Sequence, residues 1–162
     1  MRVSSELAIR QAAPDEAEIV LDLQRRAYRS EAELYENPLI PPMVQSAEEL
    51  RVEIQKRTVL VGMLEDRIVA SVRGYQVESV AYLGRFIVEP DRQGHGIGTL
   101  MIGALEKSFP TADTFELFTG HKSEANLRLY RRLGYVEVKR KQVDAGLSLV
   151  FLRKPARAGS VQ

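Results

Sequence analysis

Hydrophobic positions change their spacing several times along the chain, and each change marks an element. Leu7 to Gln11 alternates, with Leu7 and Ile9 on one face, which predicts a short strand. Pro14-Asp15-Glu16 predicts a helix start, because proline suits the first turn and acids favour the positive end of a helix. Ile19, Val20, Leu23, Ala27 and Leu34 then follow at helical spacing. Asn37-Pro38 and Pro41-Pro42 break the pattern and predict a loop between two helices. Ser46 with Glu49 makes a capping box that opens the second of them. Thr58 to Leu64 and Ile68 to Val77 are β-rich and joined by Glu65-Asp66-Arg67, a hairpin pattern. Tyr82 to Val88 is a further strand, stopped by Glu89-Pro90. From Ile97 the period becomes helical, with Leu100, Met101, Ala104 and Leu105 on one stripe that ends before Pro110. Thr114 to Thr119 reads as a strand, and Ser123 can cap a helix that runs to Gly134. Tyr135 to Lys141 and Leu147 to Arg153 close the chain as strands.

Three middle strands joined tightly should be antiparallel. The strand–helix–strand step from Tyr82 to Thr119 needs a crossover, so those two strands should be parallel. The expected class is α/β (α+β). It has a mixed, mostly antiparallel central sheet of about seven strands, flanked by about four helices. Neither a repeat nor an interdomain linker interrupts the 162 residues, so 1–162 should be one domain. Its core should span about 7–153, with 154–162 a polar, flexible tail.

Charge removes one class of partner. Lys and Arg total 23 against 22 Asp and Glu, which offers nucleic acid no electrostatic footprint. With no cysteine, disulfides, thiolate zinc sites and a cysteine nucleophile are excluded. Two histidines, His95 and His121, are too few for a histidine-rich metal site, and no metal is expected. Met1 to Arg10 has no long apolar run, and no stretch approaches the roughly 20 apolar residues of a membrane span. A cytoplasmic protein with no membrane partner is expected, as a monomer or homodimer.

The most informative stretch is Gln93-Gly94-His95-Gly96-Ile97-Gly98, between a strand and an amphipathic helix. Glycines there allow unusual backbone angles and close approach of another group. The first amides of a helix have no internal acceptors, and with the helix dipole they favour an anion. A diphosphate would fit against backbone N–H groups from about Gly94 to Thr99. A P-loop is excluded because Gly98 is followed by Thr99-Leu100 and not by Lys-Ser/Thr. A dinucleotide fingerprint would need glycine at Met101 or Thr99, and belongs to an early βαβ unit. A flexible loop before a helix is the plain alternative.

Asn126 and Tyr130 share a face of the next helix. A phenol of ordinary acidity stays protonated at neutral pH and could protonate a leaving thiolate, since the unperturbed values of about 10 and 8.5 lie close. Asn126 could hydrogen-bond the amides of an extended ligand. Core packing for Tyr130, and a bond to Ser123 or the backbone for Asn126, are the alternatives.

Together these residues resemble the GCN5-related N-acetyltransferase (GNAT) superfamily. Gln93, Gly96 and Gly98 stand at the defining positions of its Gln/Arg-x-x-Gly-x-Gly/Ala acetyl-CoA motif. Asn126 to Tyr135 is similar to its Asn-x-x-x-Tyr-x-x-x-Gly-Phe motif, with Tyr135 for the commoner Phe. The element order agrees from about Leu7 to Arg153. The resemblance implies an acetyl-CoA-dependent N-acetyltransferase acting on a primary amine, of a small molecule or peptide, by direct attack in a ternary complex. It implies that the two parallel strands diverge near Val88 and Thr119, with the pantetheine arm of coenzyme A along Phe86, Ile87 and Val88. The diphosphate is then expected at Gln93, Gly94, His95, Gly96, Ile97, Gly98 and Thr99, with Asn126 and Tyr130 alongside. Seven Lys/Arg against two Asp/Glu between Lys122 and Lys141 could attract its phosphates, or form a solvated basic face.

Tyr130 is the expected general acid. For the base, the resemblance points to a carboxylate near the start of the central strand, and Glu78 is nearest. His121 is the alternative, with a suitable unperturbed pKa near 6.5. Arg73 and Arg85 on predicted strands either pair with internal carboxylates or bind acceptor. The acceptor pocket is expected from the first two helices, where Glu31, Glu33 and Glu36 lie near Tyr28 and Tyr35. That acidity suits a cationic amine; a surface charge run is the alternative. A binding module that senses acyl-CoA without transferring it is the competing function.

Overall fold

The computed structural model describes residues 7–156. Its elements in chain order are β1 (Ala8–Gln11), α1 (Ala17–Leu34), α2 (Pro41–Val44), α3 (Ala47–Lys56), β2 (Thr58–Leu64), β3 (Arg67–Val77), β4 (Val80–Val88), α4 (Ile97–Lys107), β5 (Thr114–Gly120), α5 (Glu124–Arg132), β6 (Val136–Asp144) and β7 (Leu147–Pro155). The strands form one seven-stranded sheet, ordered β1-β2-β3-β4-β5-β7-β6. Only the β4–β5 pair is parallel, as the crossover through α4 requires. Lys154 and Pro155 continue β7, so the strand outlasts the expected core boundary. The rest of the expected tail, 157–162, lies outside the described residues. Among the described residues no helix is long and apolar enough to cross a membrane.

Alternation along β2 explains the two layers. Val59 and Val61 point to one face, under Ala17, Val20 and Leu21 of α1 and Leu50 and Ile54 of α3. Leu60 and Leu64 point to the other, in the larger core with Ile97, Met101, Ile102 and Leu105 of α4 and Leu127 and Tyr130 of α5. At the β2–β3 hairpin, Glu65 and Asp66 both take positive φ, the geometry that matches strand twist. Glu49 N–H donates to Ser46 Oγ at 3.1 Å and Ser46 N–H to Glu49 Oε1 at 2.9 Å, which completes the expected capping box.

Three local expectations are corrected. The buried residues of α1 are Ala17, Val20, Leu21, Leu23, Gln24 and Ala32, whereas Ile19 and Leu34 face solvent. A stripe begun at Ala17 leaves Ile19 about 200° away from it, and a buried glutamine is invisible to an apolar pattern. Pro41 and Pro42 do not only break the chain; they occupy the first turn of α2, where a missing N–H costs nothing. Ser123 takes the N-cap position of α5 without capping it by its side chain.

The decisive feature is how briefly β4 and β5 pair. Their register covers only Val80–Tyr82 against Thr114–Glu116. Beyond that the strands part, earlier than Val88 and Thr119. β4 also carries a bulge there: from Ser71↔Ile87 to Arg73↔Gly84, three steps on β4 oppose two on β3. Arg85 sits in the bulge at φ 50°. Past the gap, Glu89 closes the end of β4 against α1. Arg26 reaches it with two bonds, Nε to Oε2 at 3.0 Å and Nη2 to Oε1 at 2.7 Å. The Arg26 guanidinium holds the Glu89 carboxyl below the usual carboxylate range.

A depressed carboxyl pKa adds stability that is present above the unfolded value, about 4.3, and lost as pH falls through the folded one. Glu89→Gln is therefore expected to cost about 1–2 kcal/mol at pH 7 and to lose that difference below about pH 4. Urea midpoints of both proteins across pH 3–7 check it.

Candidate active site

Gln93 to Thr99 link β4 to α4, and their glycines serve two purposes. Gly94 and Gly96 both have φ 81°, a left-handed conformation that favours glycine. A Cβ at either would meet nothing within 4 Å, so the space above the turn is open. Gly98 has ordinary φ but no room: a Cβ there would lie 2.9 Å from both Leu129 Cδ2 and Phe86 Cζ. Gly98 thus sets the start of α4 tightly against β4 and α5. Gly96 is the N-cap and has no side chain to offer, which leaves the first amides of α4 for an outside acceptor.

A cavity of about 450 Å³ lies between this turn, the free edge of β4 and α5. Phe86, Ile87, Val88, Gln93, Gly94, Gly96, Ile97, Gly98, Thr99 and Asn126 all line it. His95 and Tyr130 do not. His95 is exposed, and Tyr130, one helical turn after Asn126, is buried. Arg92, Arg128 and Arg132 also line this cavity. The cluster of cations after Lys122 was the sequence signal for the last two, and it did not say which of them would face inward.

A second cavity, of about 300 Å³, lies beyond the gap between β4 and β5. Tyr28, Glu31, Phe86 and Asn126 line both cavities, so the two meet there. Tyr35, Ile40, Pro42, Arg85, Tyr130 and Leu149 are among the other walls of the second. Asn126 is fixed at the junction by a bond from Nδ2 to Thr119 Oγ1 at 3.3 Å, not to Ser123 or the backbone.

Ser123 is drawn away from its helix by α1. Its Oγ donates to Glu31 Oε1 at 2.6 Å and lies 2.8 Å from Tyr35 Oη, while Lys122 N–H donates to Tyr35 Oη at 2.9 Å. Each hydroxyl has one proton, so Tyr35 must donate to Ser123 and Ser123 to Glu31. A Cβ at Gly120 would overlap Tyr35 Oη, so this knot also needs a glycine at the end of β5. Burial raises the phenols of Tyr28, Tyr35 and Tyr130. For Tyr28 the cations of Arg85 and Arg73 offset part of the rise, and for Tyr35 the bond to Ser123 does. All three are neutral donors at pH 7.

The acidic cluster does not hold together. Glu31 is the one acid lining either cavity among the described residues. Glu33 is turned about 200° around α1 from it, and Glu36 lies beyond the helix end at φ 52°; both are exposed. Glu78 is corrected too. It is an exposed residue of the β3–β4 turn at φ 54°, and its carbonyl accepts from Gln76 Nε2. Ten residues of extended chain, roughly 30 Å, separate it from Val88, at the far end of β4 from the cavities. His121 lines neither cavity; its Nδ1 accepts from Ser148 N–H at 3.0 Å, and its ring leans on Tyr35 at 5.9 Å. Arg73 is buried and pairs with Glu53 at 2.9 Å, and burial pulls its guanidinium down to about 10. Among the described residues no group of three or more His, Asp and Glu could hold a metal ion.

The two kinds of glycine predict different losses. Gly94→Ala should cost about 1–2 kcal/mol through its left-handed backbone alone. Gly98→Ala should cost about 1–3 kcal/mol by overpacking Phe86 and Leu129 and should also weaken coenzyme A binding. Thermal melts with and without coenzyme A separate the two.

The comparisons with known proteins match this architecture. The acetyltransferase (GNAT) domain family matches residues 28–155. Ribosomal-protein-S18-alanine N-acetyltransferase from Escherichia coli superposes with a TM-score of 0.77 at 16% identity, over 93% of this chain and 94% of that one. PaiA N-acetyltransferase from Thermoplasma acidophilum, solved in complex with coenzyme A, gives 0.76 at 16% identity, over 93% and 99%. YncA from Salmonella typhimurium, a putative acetyltransferase solved with acetyl-CoA, gives 0.75 at 13% identity, over 93% and 94%. No curated protein matches the chain in sequence. A match over most of the chain, on a sheet that opens beside a glycine turn, makes this protein a member of the GNAT acetyltransferase family.

Proposed function

We propose that this chain transfers an acetyl group from acetyl-CoA to a primary amine by direct attack in a ternary complex. The observation that carries the reading is the meeting of two cavities at the β4–β5 gap. One opens on a helix N-terminus rimmed by arginines, and the other ends on a carboxylate and three neutral phenols. The first suits a diphosphate: the amides of Ile97, Gly98 and Thr99 and the cations of Arg92, Arg128 and Arg132 converge on it. Beyond Tyr82, β4 has no β5 partner, so its backbone at Phe86 to Val88 is available to pair with an extended pantetheine arm.

Acetyl-CoA supplies an acetyl thioester. The amine nitrogen bonds the acetyl carbon as the carbon–sulfur bond breaks; nitrogen loses a proton and sulfur gains one. An alkyl ammonium must first be deprotonated. Glu31 is placed to accept that proton, and the Tyr35–Ser123 chain holds its carboxylate in position. Tyr130 lies buried on the same cavity and keeps its proton at any working pH. Burial makes it a weaker acid than a free phenol. A thiolate in the same apolar cavity is desolvated as well, which makes it a stronger base and preserves the near balance of the transfer.

Thiol release from acetyl-CoA in the presence of an amine panel, with calorimetry for coenzyme A, tests the reading. Binding without turnover across the panel would identify a sensor instead. Tyr130→Phe should lower kcat about 10²-fold or more while acetyl-CoA affinity changes little; unchanged kcat would remove its role. Glu31→Gln should lower kcat/KM by a similar factor, with partial recovery at alkaline pH, where more amine is already neutral.

A further inference from the structure

Arg85 is the group of the second cavity that this chemistry leaves unused. It is held in the β4 bulge at positive φ, a conformation uncommon outside glycine, asparagine and aspartate. Its Nη1 donates to Gln45 Oε1 at 3.3 Å. That oxygen already accepts from Gln24 Nε2 at 3.0 Å and Arg73 Nη2 at 3.1 Å. The two carboxylates that share a neighbouring cavity with Arg85 are committed: Glu53 pairs with Arg73 at 2.9 Å and accepts from Gln45 Nε2 at 3.0 Å, and Glu116 pairs with Arg153 at 2.7 Å. Glu53 is therefore taken by Arg73, and among the described residues no carboxylate lies within ion-pair distance of Arg85. A guanidinium has five N–H donors, and Arg85 spends one, on a long bond to a shared acceptor.

The rest of the cavity narrows what it can hold. Ile40, Pro42, Val143, Leu147 and Leu149 make its walls largely apolar. Glu31 is its one acid, and Glu33 and Glu36, which would favour a polycation, lie outside it. An unneutralised guanidinium against an apolar wall is a strong, bidentate site for a carboxylate. We propose that the acceptor is an amino acid with an apolar side chain. Its carboxylate pairs with Arg85, its side chain lies against the Ile40–Leu149 wall, and its amine faces the Glu31 side. This rests on the transferase reading above and names the substrate class of that same site. An acceptor at a peptide N-terminus would bring no carboxylate next to its amine and would leave Arg85 unpaired.

The test compares three side chains in matched sets: leucine, phenylalanine and methionine, each as the free acid, the amide and the decarboxylated amine. Amides are less basic, and decarboxylated amines more basic, than the free acids, so amine reactivity alone cannot favour the middle member. In at least one set the free acid should exceed both partners at least tenfold in kcat/KM. In Arg85→Gln that ratio should fall below about threefold. Should Arg85→Gln not fold, Arg85→Lys keeps the charge without the bidentate fork and should show a smaller fall of the same ratio. Transfer to amides or decarboxylated amines as good as to the free acid in every set would overturn the carboxylate while leaving the transferase intact. A ratio unchanged in both variants would overturn Arg85 as its reader. Transfer to another primary amine of the broader panel but to none of these nine would overturn this acceptor class and leave the transferase intact; coenzyme A binding with no transfer to any amine would overturn both.

Discussion

The architecture depends on β4 and β5 failing to stay paired. Two parallel strands bound over three residues and then separated leave unpaired backbone in the middle of an otherwise continuous sheet. Elsewhere that would be a defect, because buried amides and carbonyls need partners. Here the bulge at Arg85 re-aims β4 away from β5 while it stays paired with β3, and the separated halves become the facing walls of a cleft. Each wall is tied down at its far end by a separate device. Glu89 locks the end of β4 to α1 through Arg26, and the Tyr35–Ser123–Glu31 knot locks the end of β5 to the same helix. α1 therefore acts as a bracket that holds the gap open.

That arrangement orders the chemistry. The glycine turn needs the end of β4 to point at the first turn of α4, and Gly98 lets Phe86 and Leu129 close against it. The carboxylate, the phenols and the guanidinium then approach the gap from different elements: Glu31 and Tyr28 from α1, Tyr130 from α5, Arg85 from the bulge. Charge follows the same division. Three arginines, Arg92, Arg128 and Arg132, line the cavity beside the turn, where an anion is expected, whereas Arg85 alone lines the cavity beyond the gap and Glu31 stands where the two meet. The buried knot of Gln24, Gln45, Arg73 and Glu53 beneath α1 keeps Arg73 charged inside the protein and leaves Arg85 to face the cavity.

What could be read from the sequence was whatever is encoded within a few residues. The capping box at Ser46, the hairpin at Glu65-Asp66 and the helix from Ile97 each depend on neighbours, and each formed where expected. The parallel pair followed from connectivity alone. The part of the first cavity made by Gly94 to Thr99 was readable for the same reason, as a glycine turn before a helix, whereas Phe86 to Val88 were expected only from the family resemblance. Readings failed where a distant residue decides. Ser123 looks like a cap until Tyr35 and Glu31 arrive from 88 and 92 residues away. Glu31, Glu33 and Glu36 look equivalent until the phase of α1 is set by Ala17 and Val20. Glu78 was chosen for nearness in sequence to the central strand, and an extended strand carries such a residue to the wrong end. Arg73 and Arg85 could not be told apart until Glu53 was seen to choose one of them.

Hydrogen–deuterium exchange with and without acetyl-CoA tests most directly whether the parted strands and the glycine turn form one continuous donor site. The backbone amides of Phe86 to Val88 and of Gly94 to Leu100 should both slow on binding, with the outer strands β1 and β6 unchanged. Protection of the turn alone, with the free edge of β4 exchanging as before, would contradict the assignment of the gap to the ligand's arm.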